Sequence, residues 1–314
     1  MKSSAVTAVA YPGLPLIFAE GYGRNRVSLH GHISLALMSI DGKVRTETSV
    51  EPAGAQGAHV FLVDGKPLSG QRGMGMLKIR DMLLARAASN CKLAIHSCNH
   101  GILSGSSDSG AAALAVGVSH VLKHNIPLHE LHDIARYGSE TAYRSLYGGL
   151  SEYYFANGRP MARCLLHAEE LREIVVYAAS FDYPRYSADV LHRGVAKHPR
   201  YRKRIADVKK RIHEFKSHLI ERDFLSCLQL MENDARDVHR MFDEVGLAVR
   251  QGRMRDLCAS VERWRKDGLP CYWNVAGASV VYVFTTRKHK AAVYRKLQDY
   301  RPQEYMVAGS AHIA

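Results

Sequence analysis

Hydrophobic and polar positions along the chain fall into two periods. Short apolar runs bounded by turn residues predict strands at Val27–Ile40, Lys43–Val50, His59–Val63, Lys92–Cys98 and Ser151–Phe155. The second half adds Glu173–Phe181, Val275–Thr285 and Tyr305–Ala308. Asp41-Gly42 between the first two runs predicts a hairpin turn, and Asp64-Gly65 ends the third. The helical period appears in Arg72–Ser89, where Met76, Ile79, Leu83 and Leu84 share a face. It recurs in Ser109–Leu122, in Leu128–Leu146 with a break at Gly138, and in Tyr201–Glu221, Phe224–Glu244, Met254–Lys266 and Arg287–Gln298. Strands and helices are mixed without a regular βαβ alternation, so the fold class is α+β. The pattern restarts between residues 160 and 175, which places two domains at 1–170 and 171–314.

Composition narrows the class. The chain has 314 residues and 46% apolar content, enough for a proper core. No apolar run approaches the roughly 18 to 20 residues of a membrane span. Met1–Ala10 has no basic segment followed by a long apolar one, so a cytoplasmic protein without a membrane partner is expected. Cys91, Cys98, Cys164, Cys227, Cys258 and Cys271 contain no CxxC pair and read as reduced thiols. The net charge of +13 favours anionic partners, either nucleic acid or small phosphorylated or carboxylated metabolites. Much of the excess lies in His192–Lys216, which reads after Pro199 as a helix with Ile205, Val208, Ile212 and Phe215 on one face. Its basic residues read as a solvated face; no aromatic platform or nucleic-acid-binding signature accompanies them.

One stretch carries chemistry by itself. In Asn99–Ala112 a strand runs into small residues, Gly101 to Gly110, and these run into an alanine-rich helix. Small side chains let backbone amides approach a ligand, and a helix start offers unpaired N–H groups to an anion. The loop is neither a Walker A sequence nor a GxGxxG fingerprint. Its other reading is a flexible surface linker, which the flanking strand and helix oppose. A second stretch, Ser139–Gly149, sets Glu140 and Arg144 four residues apart, the spacing of a surface ion pair on a helix.

Together Gly101–Ala112 and Tyr143-Arg144-Ser145-Leu146-Tyr147-Gly148-Gly149 resemble the GHMP kinase superfamily, in its mevalonate diphosphate decarboxylase branch. The wording GILSGSSDSGAA, SETAYRSLYGGL and FDYPRYSADVLH is most similar to the archaeal mevalonate 3-kinases. Asp64-Gly65, Arg72 and Leu77–Leu83, Met231–Met241 and Val275–Val283 resemble further segments of that branch. The resemblance implies a GHMP kinase fold, with an N-terminal ribosomal-protein-like α/β part and a C-terminal ferredoxin-like α/β part. It implies ATP and Mg2+ as cofactors, mevalonate as substrate and a homodimer.

Two departures from the decarboxylases shape the functional expectation. Val275 holds the place of their aspartate in a DAGPNA-like string, and Leu16–Gly21 has no lysine where they carry one. A valine can neither accept a proton nor offset charge. The resemblance therefore implies phosphorylation of the mevalonate 3-hydroxyl without elimination. Gly101–Asp108, with Ser104, Gly105, Ser106 and Ser107 foremost, is assigned to the ATP phosphates. Arg144 is assigned to the mevalonate carboxylate, and Glu140 to a substrate hydroxyl or to orienting Arg144. Arg185 is placed at the substrate's far end, walled by Phe18 and Val275, with Arg72 adding charge nearby. Asp108 is read as a magnesium ligand or a helix N-cap. The competing readings are a decarboxylase of mevalonate 3,5-bisphosphate or diphosphomevalonate, and a catalytically silent GHMP-fold binding protein.

Overall fold

A computed structural model describes residues 5–23, 27–53, 57–276 and 279–314. Two sheets organise it. The six-stranded sheet runs β14 (His312–Ile313), β1 (Val6–Ala10), β4 (Arg45–Pro52), β7 (Leu93–His100), β5 (Val60–Val63), β6 (Lys66–Pro67). The eight-stranded sheet runs β11 (Tyr272–Asn274), β12 (Val280–Thr286), β10 (Ile174–Ser180), β13 (Gln303–Val307), β3 (His32–Ser39), β8 (Leu150–Ala156), β9 (Arg159–Leu166), and β2 (Gly13–Ile17) also pairs with β3. The arrangement is α+β, as the sequence pattern predicts.

Alternation of side chains decides what each sheet buries. Val175, Tyr177, Val281 and Val283 point to one face and pack with Val238, Phe242, Leu257 and Val261. Those four lie on α7 (Phe224–Glu244) and α8 (Gly252–Lys266). The alternate residues Val176, Ala178, Val280 and Phe284 belong to a second cluster with Leu14, Leu35, Val208, Ile212 and Phe215. The last three lie on α6 (Tyr201–Ile220), whose apolar spacing was legible in the sequence. The six-stranded sheet is covered by α1 (Gly70–Arg86) and α2 (Ser106–Val121), through Ile79, Leu83, Leu114 and Val118 on Val50 and Ile95.

Several expectations are corrected. The Asp41-Gly42 turn does not close a hairpin: β3 pairs with β2, β8 and β13, while β4 pairs with β1 and β7. The turn reverses the chain, but β1 and β2 supply the partners from elsewhere. The strand expected at Val275–Thr285 starts only at Val280, as β12; Val275 and Ala276 follow the separate strand β11, which pairs antiparallel with β12. The 128–146 helix is α3 (Leu128–Ala135) and α4 (Tyr143–Tyr147), separated by turns over 136–142. The helix expected from Ser109 begins at Ser106, after Gly105. Gly277, Ala278 and the Arg72 side chain, each part of a motif above, lie outside the described residues. No helix among the described residues is long and apolar enough to cross a membrane.

Candidate active site

Chain segments from both halves converge on a cavity of about 370 Å³ at the end of β7. Leu103 to Asp108 forms one wall, from the loop after β7 into the first turn of α2. Gly105 is the helix N-cap with φ +81, a left-handed conformation that suits glycine. A β-carbon there would lie 2.8 Å from the Gly13 carbonyl oxygen, so the loop also packs too closely on β2 for a side chain. The amides of Asp108 and Ser109 return to the Gly105 carbonyl at 3.1 and 3.3 Å. Those of Ser106 and Ser107 have no intrahelical acceptor by helix geometry. The Ser104 hydroxyl is tied to the Tyr282 hydroxyl at 2.8 Å, which anchors the loop to β12. Burial pushes the Tyr282 phenol up to about 12, so it remains a neutral hydrogen-bonding group.

Arg144, on α4, is 7% exposed. Its Nε donates to Ser34 Oγ at 2.8 Å, and its Nη1 lies 3.3 Å from Asp108 Oδ2. Asp108 Oδ1 accepts from Ser139 Oγ at 2.5 Å and Thr141 Oγ1 at 2.7 Å. Tyr143 donates to the same Ser34 hydroxyl at 2.8 Å. Burial alone would lower the Arg144 pKa, but Asp108 and Tyr143 outweigh it and hold the guanidinium charged. Arg144 crosses β2 at Gly13, where a β-carbon would meet its Cδ at 2.5 Å. These bonds leave Arg144 Nη2 unpaired among the described residues.

Glu140 and Arg144 are not the surface pair that their spacing predicts. Both are buried and both line the cavity, but Glu140 sits in the turn before α4 and meets His192 Nε2 at 3.1 Å. The Gly21 amide donates to His192 Nδ1 at 2.9 Å, so the proton of the neutral ring sits on Nε2 and points at Glu140. His192 belongs to α5 (Ala188–Ala196), a helix the periodicity did not reveal. Glu20 lines the same wall. The residue is only half-buried, yet its Oε2 is enclosed and has no partner among the described residues. Burial raises its pKa, against the pull of nearby His192 and Arg204.

The remaining predicted residues divide. Phe18 lines the cavity, 1% exposed, with its amide held by Asp234 Oδ2 at 2.8 Å. Arg185 lines it too and donates to the Leu103 carbonyl at 3.2 Å, tying the second half of the chain to the loop. Val275 does not line the cavity; it is wholly buried in the core, and Ala276 faces the cavity instead. Its carbonyl accepts from His239 Nε2 at 2.7 Å. Asp108 is not the N-cap but a first-turn residue of α2. Sequence reasoning missed Ser34, Ser139, Thr141, Glu20 and His192. His192 lies at the end of the quoted FDYPRYSADVLH stretch, Ser139 and Thr141 in SETAYRSLYGGL and Glu20 in Leu16–Gly21; Ser34 carried no distinguishing pattern.

Two family models match the chain. One for the diphosphomevalonate decarboxylase-like N-terminal domain matches residues 23–162, and one for the mevalonate-3-kinase C-terminal domain matches residues 186–291. The mevalonate-3-kinase of Picrophilus torridus is 28% identical over 95% of this chain and 94% of its own. The crystal structure of mevalonate-3-kinase from Thermoplasma acidophilum, bound to mevalonate 3-phosphate and ADP, superposes with a TM-score of 0.88 at 25% identity. The match covers 99% of this chain and 98% of that one. The chain belongs to the GHMP kinase family. A phosphomevalonate decarboxylase of Haloferax volcanii is 23% identical over 93% of this chain and 92% of its own, so both chemistries of the mevalonate branch occur among its relatives. Within this GHMP kinase the loop at Leu103–Asp108 and the buried Arg144 face one space.

Proposed function

We propose that the protein transfers the γ-phosphate of ATP to the 3-hydroxyl of mevalonate and leaves the product's carboxylate in place. The observation that carries this is the composition of the cavity wall. It joins an intact phosphate loop to a buried arginine, while Val275, where the decarboxylases are expected to carry an aspartate, is withdrawn into the core. Transfer through a loose transition state depends on positioning and charge stabilisation, not on a strong base. The site offers both.

The geometry supports a role for each residue. The Ser106 and Ser107 amides, at the positive end of α2, suit the nucleotide phosphates, with Ser104 and Gly105 shaping their seat. Arg144, charged and fixed by Ser34 and Asp108, presents its remaining N–H groups to the mevalonate carboxylate. Glu140, oriented by His192, accepts a substrate hydroxyl. Phe18 and Ala276 close the far end without a lysine, as a neutral 5-hydroxyl requires, and Arg185 joins the loop to that end. Residues 1–170 thus carry the phosphate loop, and residues 171–314 complete the substrate site.

Magnesium fits as a companion of the nucleotide. Among the described residues no group of three or more His, Cys, Asp or Glu side chains is placed to hold a metal. Mg2+ needs only one or two carboxylates when phosphates supply the rest. Asp108 already accepts three hydrogen bonds, so the Ser106 and Ser107 hydroxyls and one Asp108 lone pair are what the chain offers. The ion would neutralise phosphate charge.

The test is incubation with ATP and carboxyl-labelled mevalonate. ADP should form in step with mevalonate loss, with the label retained. Stoichiometric release of labelled CO₂, or nucleotide-free decarboxylation of mevalonate 3,5-bisphosphate, would overturn the kinase reading.

A further inference from the structure

The basic helix that the sequence singled out is not absorbed by the catalytic cavity. Val208 and Phe215 of its apolar stripe are buried in the core, yet Ile205 and Ile212 at the edge of that stripe, with Lys209, Lys210 and Lys216, line a separate cavity of about 800 Å³, larger than the catalytic one. The opposite wall is the β8–β9 end of the eight-stranded sheet with the segment before β3. Ile205, Lys209, Ile212 and Lys216 follow one another at helical spacing along the α6 side, so apolar and cationic groups alternate there.

The lining is polarised. At one end Glu152, 2% exposed, accepts two bonds from Arg163 on Oε2 at 2.7 and 2.9 Å and one from Lys216 on Oε1 at 2.9 Å. Those cations are largely spent on a buried carboxylate. Lys209 and Lys210, further up the helix, are exposed and make no ion pair among the described residues. Apolar groups lie between: Leu29 and Phe155 keep 44% and 43% of their surface exposed beside the buried Ile212. Large apolar side chains left open around a concave space mark a ligand or partner surface.

We infer that this groove binds a single-chain amphiphilic phosphate as a free monomer, its apolar chain on Leu29, Phe155 and Ile212 and its head on Lys209 and Lys210. A polyanion would leave the apolar wall uncovered.

The test is calorimetric titration of the full chain with dodecyl phosphate below its micelle concentration. Inorganic phosphate, dodecanol, a single-stranded oligonucleotide and anionic vesicles serve as parallel titrants. Dodecyl phosphate should bind more tightly than dodecanol or inorganic phosphate. The Lys209→Glu/Lys210→Glu double variant and Phe155→Ser, both surface changes, should each weaken it by about ten-fold or more, as for loss of a charged hydrogen bond or a buried ring. Kinase turnover should not change in either variant. Equal affinity for dodecanol, unaltered binding in both variants, or binding only to vesicles or the oligonucleotide overturns the inference. So does self-association that the double variant abolishes while the amphiphile fails to bind.

Discussion

Asp108 is the residue on which the proposed site turns, and Asp108→Asn tests it with the least change of shape. The amide oxygen can still accept from Ser139 and Thr141, but the side chain becomes neutral and can set an NH₂ against Arg144 Nη1. The two side chains are 9% and 3% exposed, so a guanidinium would be left without its counter-ion in a dry site. Removing one partner of such a pair costs about 3 kcal/mol or more. If the fold melts as one unit, that is a fall of roughly 5 °C in Tm, within what a domain tolerates. The 3.3 Å contact is longer than a tight charged hydrogen bond, so Asp108 steadies Arg144 without closing it to substrate. Misplacing Arg144 should lower kcat/KM for mevalonate by about 100-fold, near 2.7 kcal/mol of lost transition-state stabilisation. Steady-state ADP release against mevalonate concentration and a thermal melt measure both. Activity within about three-fold of the parent with an unchanged Tm would refute the reasoning. Full rescue by excess magnesium would also refute it, because Asp108 would then be acting on the metal and not on Arg144.

Gly105→Ala should weaken ADP binding by about ten-fold or more, because the residue has φ +81 and its β-carbon would press on Gly13 backbone; isothermal titration checks this, and parent-like affinity would contradict the packing. Asp234→Asn should destabilise the fold by about 3 kcal/mol and raise KM, because Asp234 holds both Arg204 and the Phe18 amide; a parent-like urea midpoint would count against it. Stability should also fall as pH drops from neutrality. Burial holds His30 at about 4 and His132 and His239 at about 3, with His32 also depressed, so the unfolded chain takes up protons below about 6.5 that the folded chain refuses. Each contributes stability that is full above that pH and is lost toward its folded value; urea midpoints that stay flat from pH 7 to 5 would exclude it. Burial raises the Asp234 pKa but Arg204 and Arg211 more than reverse this, so its share survives to below about 3.9 and vanishes in stronger acid.

The sequence by itself determined what local forces determine. The apolar spacing of α6 and α7 reads directly, because a buried stripe needs one residue type every three or four positions whatever it packs against. The strand, small-residue loop and alanine-rich helix at Leu93–Val121 read directly as well, since the unpaired amides belong to the helix end itself. Pairing was another matter. The Asp41-Gly42 turn fixes a reversal, but only the assembled sheets decide that β3 and β4 take different partners, because strand pairing joins distant residues. Glu140 and Arg144 carry the spacing of a surface ion pair, yet both are buried, and they meet His192 and Asp108 respectively. Val275 was legible as an absent carboxylate; its withdrawal behind Ala276 was not, since an apolar side chain turns toward whichever core it can join. The chemistry on offer was thus written in residue types. Which groups face the cavity was settled by long-range packing.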